Sequence, residues 1–155
     1  MNAFTDIFPA DDFDRPDEPW FIEPKDKLPG TELQRQKTFI DIMAALAPSV
    51  DIVAIPNAGK STDWERIQRW KEGARRGALD LVVTWEPTCQ GDRGVCFPEF
   101  KDGQKMPSRA QRDRLNRYFR MGHACGVFRT AEALIAYLRD RGCPIRPVHN
   151  QSGRL

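Results

Sequence analysis

Two short apolar stretches carry charge where charge is costly. Gly77-Ala78-Leu79-Asp80-Leu81-Val82-Val83 sets an aspartate at the head of a β-branched run, and Cys96-Phe97-Pro98-Glu99-Phe100-Lys101 sets a glutamate and a lysine two residues apart. On a strand Glu99 and Lys101 point to the same face. Buried carboxylates cost free energy unless they are paired, so strands covered on both faces seldom carry them alone. Two carboxylates and one lysine brought together by adjacent strands make a site for a hard divalent cation such as Mg²⁺, which takes oxygen ligands. The structural alternative makes Asp80 a strand-cap acid and the Glu99/Lys101 pair an edge-strand ion pair of little energetic worth.

Other chemistries are less well served. Gly59-Lys60-Ser61 lacks the first glycine of a P-loop, so no nucleotide cofactor is expected. Cys89, Cys96, Cys125 and Cys143 show no CxxC spacing, and reduced structural thiols are expected over a zinc site built from Cys89, Cys96, Cys125 and His123. The chain has 155 residues, enough for one domain with a real core, and its 40% apolar and 30% charged content is that of a globular protein. No apolar run reaches membrane-span length and the N-terminus lacks a signal-like h-region, so the expectation is an intracellular, cytoplasmic protein.

The net charge of +2 conceals a split. Residues 1–30 hold eight acids against three bases, and residues 31–155 hold 21 bases against 14 acids. An acidic segment on a basic domain points to a polyanionic partner for the domain. Three segments are expected: an acidic, proline-rich, flexible arm over 1–29, a domain over 30–142, and a polar tail over 143–155. A sharper reading has the arm packing on the domain, or on a partner subunit, through Trp20 and Phe21.

The elements that must position the charged groups can be read in order. Thr31 with Gln34 forms a capping box opening a helix, with Leu33, Gln36, Phe39, Ile40, Met43 and Leu46 as its stripe and Pro48 past its end. Glu32 lies in its first turn, where the helix dipole alone would favour an acid. Val50–Ile55 reads as a strand, Thr62 with Glu65 caps a short helix, and the Asp80 and Glu99 strands are joined by the polar Glu86–Gly94 connection. Pro98 lacks an amide donor, which argues for an edge or irregular position. Ser108 with Gln111 caps the next helix, followed by a strand over His123–Arg129 and a helix capped by Thr130. A hairpin followed by a strand–helix–strand crossover gives a mixed sheet covered by helices, an α/β or α+β architecture.

An αβββαβ order, with an acid on the first helix, Asp at the head of the second strand, Glu-x-Lys on the third and Gln at the start of the next helix, resembles the PD-(D/E)XK nuclease superfamily. Pro56-Asn57-Ala58-Gly59-Lys60, Gly73-Ala74-Arg75-Arg76-Gly77-Ala78-Leu79-Asp80-Leu81, Glu99-Phe100-Lys101 and Ser108-Arg109-Ala110-Gln111 together resemble its VRR-NUC group over about residues 31–140. Leu79 replaces the proline usual before the aspartate, and Pro98 stands where an apolar strand residue is usual. The resemblance implies an α/β restriction-endonuclease-like core with a mixed central sheet. It implies that Asp80 and Glu99, with the Phe100 carbonyl and Glu32 in support, hold Mg²⁺ or Mn²⁺. Lys101 would orient the nucleophile or stabilise developing charge, and Gln111 would hold Lys101 or the water; capping alone also accounts for Gln111.

The implied activity is metal-dependent, structure-selective DNA endonucleolysis, as on a Holliday junction or flap, by a homodimer. Asn57, Lys60, Lys71, Arg75, Arg76, Lys105, Arg109 and Arg112 lie in loops and a helix start suited to phosphate contact. The alternatives are an inactive DNA-binding module of the same fold and an interaction protein whose acidic arm meets a basic partner.

Overall fold

The computed structural model describes residues 16–55, 62–71 and 77–148. Its elements are β1 (Phe21–Ile22), α1 (Glu32–Leu46), β2 (Asp51–Ala54), α2 (Asp63–Lys71), β3 (Leu81–Thr84), β4 (Val95–Phe100), α3 (Arg109–Arg120), β5 (Ala124–Phe128) and α4 (Ala131–Arg139). The five strands form one mixed sheet in the order β1-β5-β4-β3-β2. β2, β3 and β4 are antiparallel neighbours, whereas β4 runs parallel to β5 and β5 parallel to β1.

The two parallel strands β4 and β5 are joined through α3, as a crossover requires. Cys96 and Phe100 of β4, Leu81 and Val83 of β3 and Phe128 of β5 pack with Phe39 and Met43 of α1 and Leu134 and Leu138 of α4. The opposite face buries Leu115 of α3 with Cys125, Val127, Leu79 and Trp20. The sheet is thus a middle layer, with α1 and α4 on one side and α3 on the other. All three capping boxes read in the sequence form, Thr31/Gln34, Thr62/Glu65 and Ser108/Gln111. No described helix is long and apolar enough to cross a membrane.

Two expectations are corrected and a third is narrowed. Residues 16–29 do not form a flexible arm: Trp20 is buried, Phe21 and Ile22 add a strand to β5, and Phe21 stacks on Phe128 at 5.0 Å. Residues 1–15 lie outside the described residues. On α1, Leu33 is 73% exposed and Arg35 is buried. Arg35 turns inward because its guanidinium bonds the Asp26 carboxylate and the Leu28 and Arg129 carbonyls, which satisfies the charge. Pro98 lies in β4, between β3 and β5, and not on an edge.

Candidate functional site

Pro98 is tolerated there because one side of β4 stops pairing at that point. The β3–β4 ladder runs through Trp85 N–H to the Gly94 carbonyl and through Val83 opposite Cys96. Two residues further, Pro98 has no N–H to give to β3, and the ladder ends. Its other neighbour is undisturbed, with Pro98 opposite Gly126 and Phe100 opposite Phe128. The two strands therefore fork, and side chains bridge the fork in place of backbone. Asp80 N–H donates to Glu99 Oε2 at 3.1 Å, and Phe100 N–H donates to Asp80 Oδ2 at 2.9 Å. The backbone of Phe100 faces Asp80, which puts its carbonyl on the same side of the strand.

Around Glu99 the remaining groups converge. Lys101 Nζ lies 2.9 Å from Glu99 Oε1 and 3.7 Å from Glu32 Oε1 at the start of α1. Gln111 Nε2 donates to the same Glu99 Oε1, while Gln111 Oε1 accepts from Ser108 N–H at 2.9 Å. Gln111 therefore caps α3 and touches the acid at once, so its two readings are not alternatives. The structure thus brings Asp80, Glu99, Lys101, Gln111 and Glu32 together from four parts of the chain.

The electrostatics follow from burial. Glu99 is fully buried and Lys101 nearly so. Desolvation first, and the neighbouring Asp80 second, push the Glu99 carboxyl up to about 8 against the pull of Lys101. Desolvation pulls Lys101 down, but the Glu99 and Glu32 carboxylates outweigh it and raise its ammonium above its ordinary value. Two carboxylates that repel one another in a low dielectric favour the arrival of a cation between them.

Whether the donors suit a divalent metal can be judged from their chemistry. Asp80, Glu99 and the Phe100 carbonyl are all hard oxygen donors. Among the described residues no group of three or more His, Cys, Asp and Glu side chains is clustered as a metal cage. Mg²⁺ does not demand such a cage, because it retains several waters and binds through one or two carboxylates plus substrate phosphate. The set fits that mode. Of the softer set read in the sequence, Cys89, Cys96, Cys125 and His123, the Cys89 thiol is exposed while Cys96 and Cys125 are buried.

Other residues support the site without being read as members of it. Gly77 has φ +74°, and a Cβ there would lie 2.2 Å from the Ala110 carbonyl oxygen. Only glycine lets the segment before Asp80 press against the first turn of α3, which carries Gln111. Arg129 is fully buried just past β5, and its guanidinium donates to the Glu23, Asp102 and Lys105 carbonyls, tying down the loop after Lys101. The Glu23 carboxylate in turn accepts from the Arg129 and Thr130 amides and the Thr130 hydroxyl. A charged residue ending an apolar strand was the visible signal for Arg129; nothing local marked Glu23.

Of the residues expected at phosphate, Asn57, Lys60, Arg75 and Arg76 lie outside the described residues. Lys71 is exposed at the end of α2, Arg109 is exposed at the start of α3, and Lys105 lies exposed in the loop between β4 and α3. Arg112 is exposed but is engaged by Asp17, its Nε donating to Oδ2 at 2.9 Å. A cavity of about 1080 Å³ lies elsewhere, bordered by Trp20, Trp85, Val95, His123, Ala124 and Tyr137. Val95 and Ala124 begin β4 and β5, so this cavity is at the opposite end of the strands from Glu99.

The fold and its forked strand pair define a class by architecture, an αβββαβ core around a mixed sheet. Within that class the chain has a VRR-NUC-like fold. A solved structure described as a "VRR_NUC domain protein" superposes on 74% of this chain and 90% of its own, with a TM-score of 0.57 at 20% sequence identity. No protein-family model and no curated protein matches the chain.

Proposed function

We propose that the protein is a metal-dependent, structure-selective DNA endonuclease. The observation that carries this reading is the interlocked set at the fork, where Asp80 and Glu99 bond across two strands and Lys101 and Gln111 converge on one oxygen of Glu99. Asp80, Glu99 and the Phe100 carbonyl would hold Mg²⁺ or Mn²⁺, with Glu32 as an outer ligand reached through Lys101. When bound there, such an ion lowers the pKa of a water ligand and offsets charge on the attacked phosphate. Lys101, held between two carboxylates, directs its ammonium to the water or to the developing negative charge. Gln111 fixes the orientation of Glu99, and Gly77 fixes the distance between Gln111 and the strand. The exposed Lys71, Lys105 and Arg109 offer sequence-independent phosphate contacts. Junctions and flaps, cut by a pair of two-fold related copies, are the substrates that suit this arrangement.

The test is cleavage of labelled linear duplex, single-stranded, flap and four-way-junction DNA with Mg²⁺, with Mn²⁺ and with EDTA. Cutting that needs metal, prefers a branched substrate and falls by at least about a hundredfold in Asp80→Ala and Lys101→Ala is the expected result. DNA binding without cutting under every condition replaces the enzyme with an inactive DNA-binding module of the same fold.

A further inference from the structure

On α3, Arg112, Asn116 and Arg120 recur every four residues and so line one stripe of the helix. The segment before β1 lies along that stripe and places an acid on each arginine. Asp17 Oδ2 accepts from Arg112 Nε at 2.9 Å and from Nη2 at 2.5 Å, and Glu18 Oε1 lies 3.8 Å from Arg120 Nη1. Asn116, buried between them, is the clamp. Its Oδ1 accepts from Glu18 N–H at 2.9 Å and from the Trp20 indole at 2.8 Å, and its Nδ2 donates to Asp17 Oδ1 at 3.2 Å.

The strength of this arrangement is not in the ion pairs, since exposed pairs are worth about 0–1 kcal/mol. It is in the anchor. Trp20 is buried against Leu79, Leu115, Cys125 and Val127, so its burial holds Asp17 and Glu18 over the arginines. A guanidinium fork accepts carboxylate and phosphate in the same geometry. The Arg112 side chain remains 47% exposed, and its neighbour Gln111 touches Glu99, so the stripe starts beside the candidate site. In sequence, Asp6, Asp11, Asp12 and Asp14 precede this segment.

We propose that the Arg112–Arg120 stripe of α3 is a docking surface for nucleic-acid phosphate, and that Asp17 and Glu18 occupy it as an internal competitor. DNA reaches the stripe by displacing the two acids, while Trp20 keeps them close enough to return. This rests on the DNA-binding reading above and adds to it a brake built from the same chain.

Fluorescence anisotropy with labelled duplex and four-way-junction DNA, in EDTA so that no cutting occurs, tests it across about 50 to 200 mM salt. The full chain is compared with Asp17→Asn/Glu18→Gln, which keeps Trp20 and Asn116. Arg112→Gln/Arg120→Gln is added to each background. The expected result is a roughly five- to twenty-five-fold tighter Kd on removing the acids, about fivefold per arginine released. The log–log salt slope should steepen by about 0.9 per arginine, and both gains should vanish when the arginines are also replaced. Equal affinity and slope with and without the acids overturns the competitor while leaving DNA binding intact. A gain that survives loss of both arginines overturns the stripe as the surface. No binding by any variant, each with an unchanged thermal melt, overturns both the stripe and the DNA reading beneath it.

Discussion

Glu99 is where the physical demands on this chain conflict most. It has no exposed surface, Asp80 stands close by, and its carboxyl is pushed up to about 8, first by burial and then by that neighbour. A carboxyl whose folded pKa lies above its unfolded value holds its proton more tightly when folded. The stability this preserves is complete below the ordinary value of 4.5 and is lost as pH rises through about 8. In chelator the thermal midpoint should therefore fall across that window. Glu99→Gln should flatten the fall and gain on the order of 2 kcal/mol on the alkaline side, about 4–8 °C for a chain of this size, while cleavage is lost. Melts at about pH 5 and about pH 9 check both variants; parallel falls would show that another group governs the slope. At this scale the sequence was informative about types and less so about ties. Asp80, Glu99 and Lys101 stood out because charge interrupts an apolar strand. That Gln111 serves cap and acid together depends on where α3 lands, which no spacing records.

Among the elements, the fork between β3 and β4 and the pressing of the Gly77 segment on α3 set the geometry. Gly77→Ala places a side chain in the left-handed region, at roughly 1–2 kcal/mol, and within 2.2 Å of the Ala110 carbonyl oxygen. The chain must move away from α3, and the expected cost is more than about 2 kcal/mol in urea unfolding, with cleavage reduced because Gln111 no longer meets Glu99. Undiminished stability would mean that the contact yields freely. The helices and the four strands β2 to β5 were legible because their signals are local: capping boxes, 3.6-residue recurrence and β-branched runs. β1 was not, being two residues long and defined by a partner 105 positions away. Pro98 was read as marking an edge or an irregular position, and the second is what is found: β4 is interior, and its pairing with β3 stops before Pro98. A proline removes a donor on one side of a strand only, and β4 has a neighbour to lose on that side and one to keep on the other.

Over the whole molecule, residues 16–30 are a strap joining the sheet, α3 and the loop behind Lys101. Gly126→Ala would drive a Cβ to 2.6 Å from the Phe21 carbonyl oxygen and lift β1. Limited trypsin digestion should then cleave after Lys25 and Lys27 much faster than in the parent; equal rates would mean that the strap holds without β1. Arg129→Met leaves the Glu23, Asp102 and Lys105 carbonyls without their donor, and a loss of about 3 kcal/mol or more is expected in urea unfolding. The strap also has a consequence in time. A ribosome makes Phe21 about 105 residues before Gly126, its partner in the sheet, an interval of roughly 5–20 s at ordinary synthesis rates. Asp80, Glu99 and Lys101 have all been made by then, but the Phe128 carbonyl that receives Lys101 N–H at 2.9 Å has not. A nascent chain thus carries every charged group of the site before it has the strand that sets them, and the emerging protein matures only when its last strand closes the sheet.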